Sequence, residues 1–434
     1  MKNGTILALA LLATITAADV YAASEGVVEQ AQSLMQQQKF QDAVLQLSAA
    51  IKKNPKDAVL YCERSCAYMG VGDFDNAFRD ADKAISMDPT LLRAYVTRGA
   101  VYMQRGDRQR FQDDLDKALS LEPKSEPECL ARAGLYMQTD RPNQALADFN
   151  KAVELAPNSA YAYVGRGAVH VALDQYPEAL EDFSRAIVLN PNIAVAYAGR
   201  GAVYGRLEQY QKSVEDLDKA ISMDPNNGEN FYNRGWSYRA VQQYQKAVDD
   251  FSRAISLDPK MMVAYANRGA CYVSLDQYQK AIDDCSKAIE LDPNMDKAYQ
   301  FRGLAHYKLG HFQAAIDDMS KTISLSPNLP KPYLARGSMY LEQKEFAQAV
   351  DDLTKAIALD PNVSLSYNSR GLAYCYLSQY QKAVDDFSKS IQLDAGDAQT
   401  YVSRALAYEK LGRQDLAKND RAKAIQLGYK EEPK

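Results

Sequence analysis

Histidines, thiols and paired carboxylates carry most protein chemistry, and this chain of 434 residues holds only three His and six Cys. His170 and His306 stand where other repeats have tyrosine and His311 lies in a turn, regular positions that favour packing roles. No phosphate-cradling glycine loop, no G-x-S-x-G elbow and no H-E-x-x-H pair occurs. Cys62 and Cys66 lie four apart, on one face of a helix, which is a spacing open to metal or redox use. With no His or other Cys beside them, small packing residues are the stronger reading. Cys129 and Cys375 stand alone, and the spacing of Cys271 and Cys285 leaves a disulfide open; C-x-x-C is absent. Doublets such as Asp249-Asp250 and Asp283-Asp284 recur at one fixed spacing, which argues for a structural motif and against a carboxylate pair for acid–base work. The chain reads as a non-enzyme, with no cofactor and no metal.

A more regular charge pattern lies elsewhere. Eleven arginines, from Arg64 to Arg404, recur every 34 residues, and each is followed 16 residues later by an aspartate, from Asp80 to Asp420. A row of arginines alone could bind phosphate. A matched carboxylate for each one predicts instead a repeated ion pair between two antiparallel helices.

The elements that position these residues follow from the same step. Ten prolines, Pro55 to Pro361, are spaced 34 apart without insertion or deletion, and Ala395 and Tyr429 continue the register. Twelve units result, at 24–57, 58–91, 92–125, 126–159, 160–193, 194–227, 228–261, 262–295, 296–329, 330–363, 364–397 and 398–431. Within 262–295, Tyr265, Gly269 and Tyr272 share one helical face, and Ala281, Cys285 and Ala288 share another. Asp276-Gln277-Tyr278 marks the turn between them, and Pro293 ends the second helix. Position 26 is basic from Lys83 to Lys423, and in most units an acidic residue precedes it by four, as in Asp249 to Arg253, which predicts i, i+4 pairs on a solvated face.

This pattern resembles the tetratricopeptide repeat over the whole of residues 23–431. The aromatic at position 4 (Tyr61 to Tyr401), the small residue at position 8 (Gly99, Gly167 to Gly371) and Ala at position 20 in ten units carry the resemblance, with Phe111 and Ser213 the departures. Arginine at position 7 departs from the family's usual leucine. The resemblance implies an all-α fold, a right-handed superhelical α-solenoid of antiparallel helix pairs. It also implies a concave surface lined by positions 2, 5, 6, 9, 12 and 13 of the first helices, where a protein or peptide partner binds. The family's carboxylate clamp needs asparagine at position 9, which no unit has, so acidic C-terminal tails are not the expected ligand.

Those surface positions are mostly small or apolar, as in Val164, Gly165 and Ala168. The seventh unit breaks the pattern with Tyr232, Asn233, Arg239 and the only tryptophan, Trp236. Arg206 precedes it, and Asn267, Gln300, Phe301 and Tyr307 extend it, together offering an aromatic anchor, amides for a peptide backbone and cations. At the ends, the Gln-rich first unit carries Gln30 and Gln46 in place of the ion pair, and the last has Arg421 where others have Phe or Leu. Both are read as caps, the C-terminal face being open to self-association.

A net charge of −5 gives no basic footprint for nucleic acid and no polybasic membrane patch. Lys2, the apolar run from Ile6 to Ile15 and the small residues Ala17 to Ala23 read as a secretory signal peptide over 1–22. The apolar run is shorter than the roughly 18–20 residues a spanning helix requires. The expectation is an exported, periplasmic or secreted scaffold in envelope assembly or secretion, with a carbohydrate- or lipid-handling envelope component as the alternative.

Overall fold

The computed structural model describes residues 25–430, and among them are twenty-four α-helices and no strand. They are numbered here α1 (Glu25–Gln36) to α24 (Gln414–Gln426), odd numbers opening each 34-residue unit and even numbers closing it. The leader read over 1–22 and the boundary at Glu431 lie outside the described residues. The chain divides at Pro225–Asn226 into two compact bodies, each a solenoid of six antiparallel helix pairs. Among the described residues no helix is long and apolar enough to cross a membrane.

Each turn inside a pair is set by backbone geometry at position 15. Gly72, Gly106, Gly310 and Gly412 take positive φ there, and so do eight non-glycine residues, among them Gln242 (61°) and Asp276 (56°). In the unit 262–295 the Gln277 amide donates back to Tyr272 O (2.8 Å) and Asp276 to Val273 O (3.2 Å), a Schellman closure that satisfies the last carbonyls of the first helix. The second helix ends differently. The side chain of Asp292 accepts from the Asn294 amide (2.9 Å) around Pro293, and Asp258 and Asp360 repeat this with Lys260 and Asn362.

The core is built from small residues facing large ones. Ala247, Ala281, Ala315, Ala349 and Ala383, all at position 20, are fully buried. A Cβ placed on Gly371 would sit 2.7 Å from the ring of Phe387, itself fully buried. Helix pairs therefore approach closely enough for a bulky position-24 side chain to fill the gap opposite position 8.

The outer charges differ from the i, i+4 pattern. Asp249 and Asp283 accept from Gln245 (3.0 Å) and Gln279 (3.0 Å), one turn before them. Lys287 reaches Glu290 instead (2.8 Å), and Arg253 lies over the Phe231 ring. A short Gln–Asp bridge along the helix outcompetes a long, solvated cation. In the last unit Arg421 pairs with Glu409 (2.9 Å), filling the place of a buried ring with a half-exposed ion pair.

Candidate partner-binding face

The first helices are held by the arginines. In every one of the eleven units the guanidinium grips the aspartate with two N–H···O bonds of 2.6–2.9 Å. These bidentate pairs are mostly shielded, Arg268 being 17% and Asp284 10% exposed in their side chains. The Asp318 hydrogen bonds raise the Arg302 pKa above the ordinary guanidinium value. Tyrosine rings at positions 4 and 11 flank the cation, as Tyr265 and Tyr272 do at 5.7 and 6.0 Å from Arg268. In the first unit Gln46 donates to Gln30 (2.6 Å), an uncharged version of the same link.

The third arm of the guanidinium makes a contact the sequence reading missed. Nη1 of Arg268, Arg302, Arg336 and Arg404 donates to Ser252, Ser286, Ser320 and Ser388 at 2.7–3.1 Å, on the second helix of the preceding unit. One arginine thus ties three helices. An acceptor 16 residues before each arginine, mirroring the aspartate 16 after, was the available signal.

On this frame α13 (Gly228–Ala240), α15 (Met262–Ser274) and α17 (Asp296–Lys308) present the aromatic patch. Tyr232, Asn233, Trp236, Arg239, Asn267, Gln300, Phe301 and Tyr307 are all half-buried. Arg239 Nη1 donates to Asn267 Oδ1 (2.6 Å), and its guanidinium lies 5.7 Å from the Phe301 ring centre, so one side chain bridges three successive units. Asn267 donates to Val263 O (2.7 Å) and lies 3.5 Å from Tyr232 Oη. Burial pushes the Tyr232 hydroxyl up. Trp236 packs on the core formed by Phe251, Ala264 and Cys271 while keeping part of its surface open. Tyr307 donates to Glu342 in the next unit, and burial together with that carboxylate pushes it up to about 12.

These contacts redistribute the expected roles. Arg239 and Asn267 satisfy one another and build the floor of the patch. Among the described residues, the side-chain amides of Asn233 and Gln300 have no hydrogen-bond partner. Arg206 belongs to the first body, where it is exposed and lies 3.4 Å from Tyr176 Oη.

In the first body the sequence reading missed a buried cluster. Glu63, 1% exposed, receives Arg93 from the next unit, with Cys66 and Thr97 beside them. Both Glu63 and Arg93 occupy positions assigned to the partner-binding surface, so an ion pair fills that surface here. All six cysteines, including Cys271 and Cys285, are unpaired.

Profiles of the tetratricopeptide repeat match residues 28–61, 58–91, 92–125, 129–159, 160–193, 194–227, 229–261, 263–295, 296–329, 330–363 and 398–427. No curated protein sequence matches the chain. Among solved structures, MamA is 28% identical over 37% of this chain and 93% of its own, with a TM-score of 0.36. YrrB, a TPR protein with an unusual peptide-binding site, is 24% identical over 41% and 92%, with a TM-score of 0.37. A chain of the APC/C hetero-tetramer Cut9–Hcn1 is 14% identical over 98% and 96%, with a TM-score of 0.48. With these matches covering well over half of its length, the chain belongs to the tetratricopeptide repeat family.

Proposed function

We propose that the chain is a non-enzymatic scaffold that captures a protein or peptide partner on the face formed by α13, α15 and α17. The observation that carries this reading is the pair of half-buried, unpartnered amides of Asn233 and Gln300 on the helices that also carry Trp236 and Phe301. Each side-chain amide both donates and accepts, so it can exchange its water for the backbone of a ligand laid along this face. Apolar area on Trp236 and Phe301 adds the anchoring term. Export, and with it a role in envelope assembly or secretion, rests on the leader-like composition of residues 1–22.

A glycan-handling role is the second reading. It is favoured by Phe346 and Tyr376, whose rings stack at 4.5 Å and 8°, with Tyr376 67% exposed, a flat platform suited to a sugar ring. Trp236 is the only tryptophan, so its emission reports on the patch alone. Linear peptides selected from a random display library against the full chain are expected to shift that emission saturably, and to lose affinity in Asn233→Ala. A response to oligosaccharides with none to any selected peptide would overturn the proposal.

A further inference from the structure

The six thiols differ in what surrounds their sulfur. Burial pushes Cys129, Cys271 and Cys285 up to about 12 and Cys375 up to about 11. Cys66 sits on α3 (Ala58–Val71), facing α5 (Leu92–Gln104) across the seam between the second and third units. Its Sγ lies 3.4 Å from Thr97 Oγ1 and 3.8 Å from Arg93 Nη2. The Thr97 hydroxyl is also 3.0 Å from Arg93 O, so rotation about one bond redirects its proton to the sulfur. Arg93 is in turn fixed by Glu63, whose second oxygen is 3.5 Å from Nη2, and Glu126 also faces this cation. Burial first, and then the Glu63 carboxylate, oppose negative charge on sulfur. The neighbouring Cys62 thiol, one helical turn back, counts most in the other direction, Arg93 and Thr97 add to it, and Cys66 stays below the usual thiol range while Cys62 is pushed up.

We propose that Cys66 is a modification site, a nucleophilic thiolate set up by Cys62, Arg93 and Thr97 that takes up soft electrophiles and hydroperoxides. With a hydroperoxide, the sulfur attacks one oxygen, an S–O bond forms and the O–O bond breaks. Sulfur is oxidised to the sulfenic acid, and the peroxide is reduced to hydroxide or alkoxide, which takes up a proton from water. Cys62 does not close a disulfide on this product. Residues i and i+4 of a helix hold their Cβ atoms about 5–6 Å apart, whereas a disulfide requires about 3.5–4.5 Å. The oxidised sulfur therefore persists until an external thiol meets it. Its added bulk lies against Arg93 and Thr97.

Cys375 is the internal control, since it too is half-buried but lacks a cation and a second thiol. The cation and hydroxyl beside its sulfur favour the thiolate at Cys66, and the lower intrinsic nucleophilicity of that thiolate returns part of the advantage. In the folded full chain at pH 7.5, iodoacetamide followed by peptide mass spectrometry should show Cys66 reacting more than about tenfold faster than Cys375. Thr97→Val should slow Cys66 while leaving Cys375 unchanged. Hydrogen peroxide followed by dimedone should tag Cys66, and a missing dimedone adduct would overturn the oxidative step. Cys66 reacting no faster than Cys375, or only after unfolding in urea, would overturn the proposal as a whole.

Discussion

Replacing Arg268 by alanine removes two charge-assisted bonds to Asp284 (2.7 Å each) and one to Ser252 (2.9 Å). Ser252 loses little, because its hydroxyl also donates to Val248 O at 2.6 Å. Asp284 loses both its guanidinium donors while remaining 7% exposed. A carboxylate stranded in this way costs about 3–5 kcal/mol, and contact of the site's rim with water places this one near the lower figure. Arg268→Ala/Asp284→Ala removes the stranded charge as well, so the double variant should be destabilised by at least about 1.5 kcal/mol less than the sum of the singles. Urea unfolding followed by circular dichroism gives the global effect. Because neighbouring repeats can unfold separately, amide exchange in α15 and α16 (Tyr278–Leu291) should be read alongside it. A loss below about 1 kcal/mol for Arg268→Ala, or additive single effects, would refute the stranded-charge reasoning.

Three further outcomes follow from the geometry. Gly371→Ala should cost about 1–3 kcal/mol by driving a methyl into buried Phe387, whereas Gly412→Ala meets open space and should cost only the roughly 1–2 kcal/mol of its positive φ; urea midpoints compare the two. Burial raises the Glu126 pKa, so the folded state holds that proton more tightly than the unfolded chain, and stability falls as pH rises through the acid range. Glu126→Gln should therefore melt higher than wild type at pH 7 and level with it below the free carboxylate value of about 4.3. Trp236→Ala should weaken capture of display-selected peptides at least tenfold with helicity retained, as circular dichroism would show; loss of fold instead would make Trp236 a packing residue.

Periodicity made the helix pairs legible, because a step of 34 with prolines at one position leaves few other ways to bury the apolar stripes. The Arg–Asp link was legible for the same reason, since a fixed spacing of 16 across a hairpin puts the two opposite each other. The third arm to Ser252 and its counterparts was not, because it joins different repeats and its acceptors vary among Ser, Thr, Asn and Asp. Position 15 was equally silent: eight of its residues adopt a left-handed conformation without being glycine, held there by the closure of the turn. Glu63 and Arg93 escaped notice because neither recurs, and a single contact between neighbouring repeats leaves no periodic trace. At the aromatic patch, the residue types gave no sign of their partners. Arg239 and Asn267 bind each other, which is why the proposed function assigns the ligand contacts to Asn233 and Gln300.

The most direct test of the scaffold account is amide hydrogen exchange on the full chain, with and without a saturating display-selected peptide. Protection concentrated in α13, α15 and α17, and abolished by Trp236→Ala, is the predicted result. Protection spread over other helices, or unchanged when Trp236 is replaced, would contradict a binding face centred on those three helices.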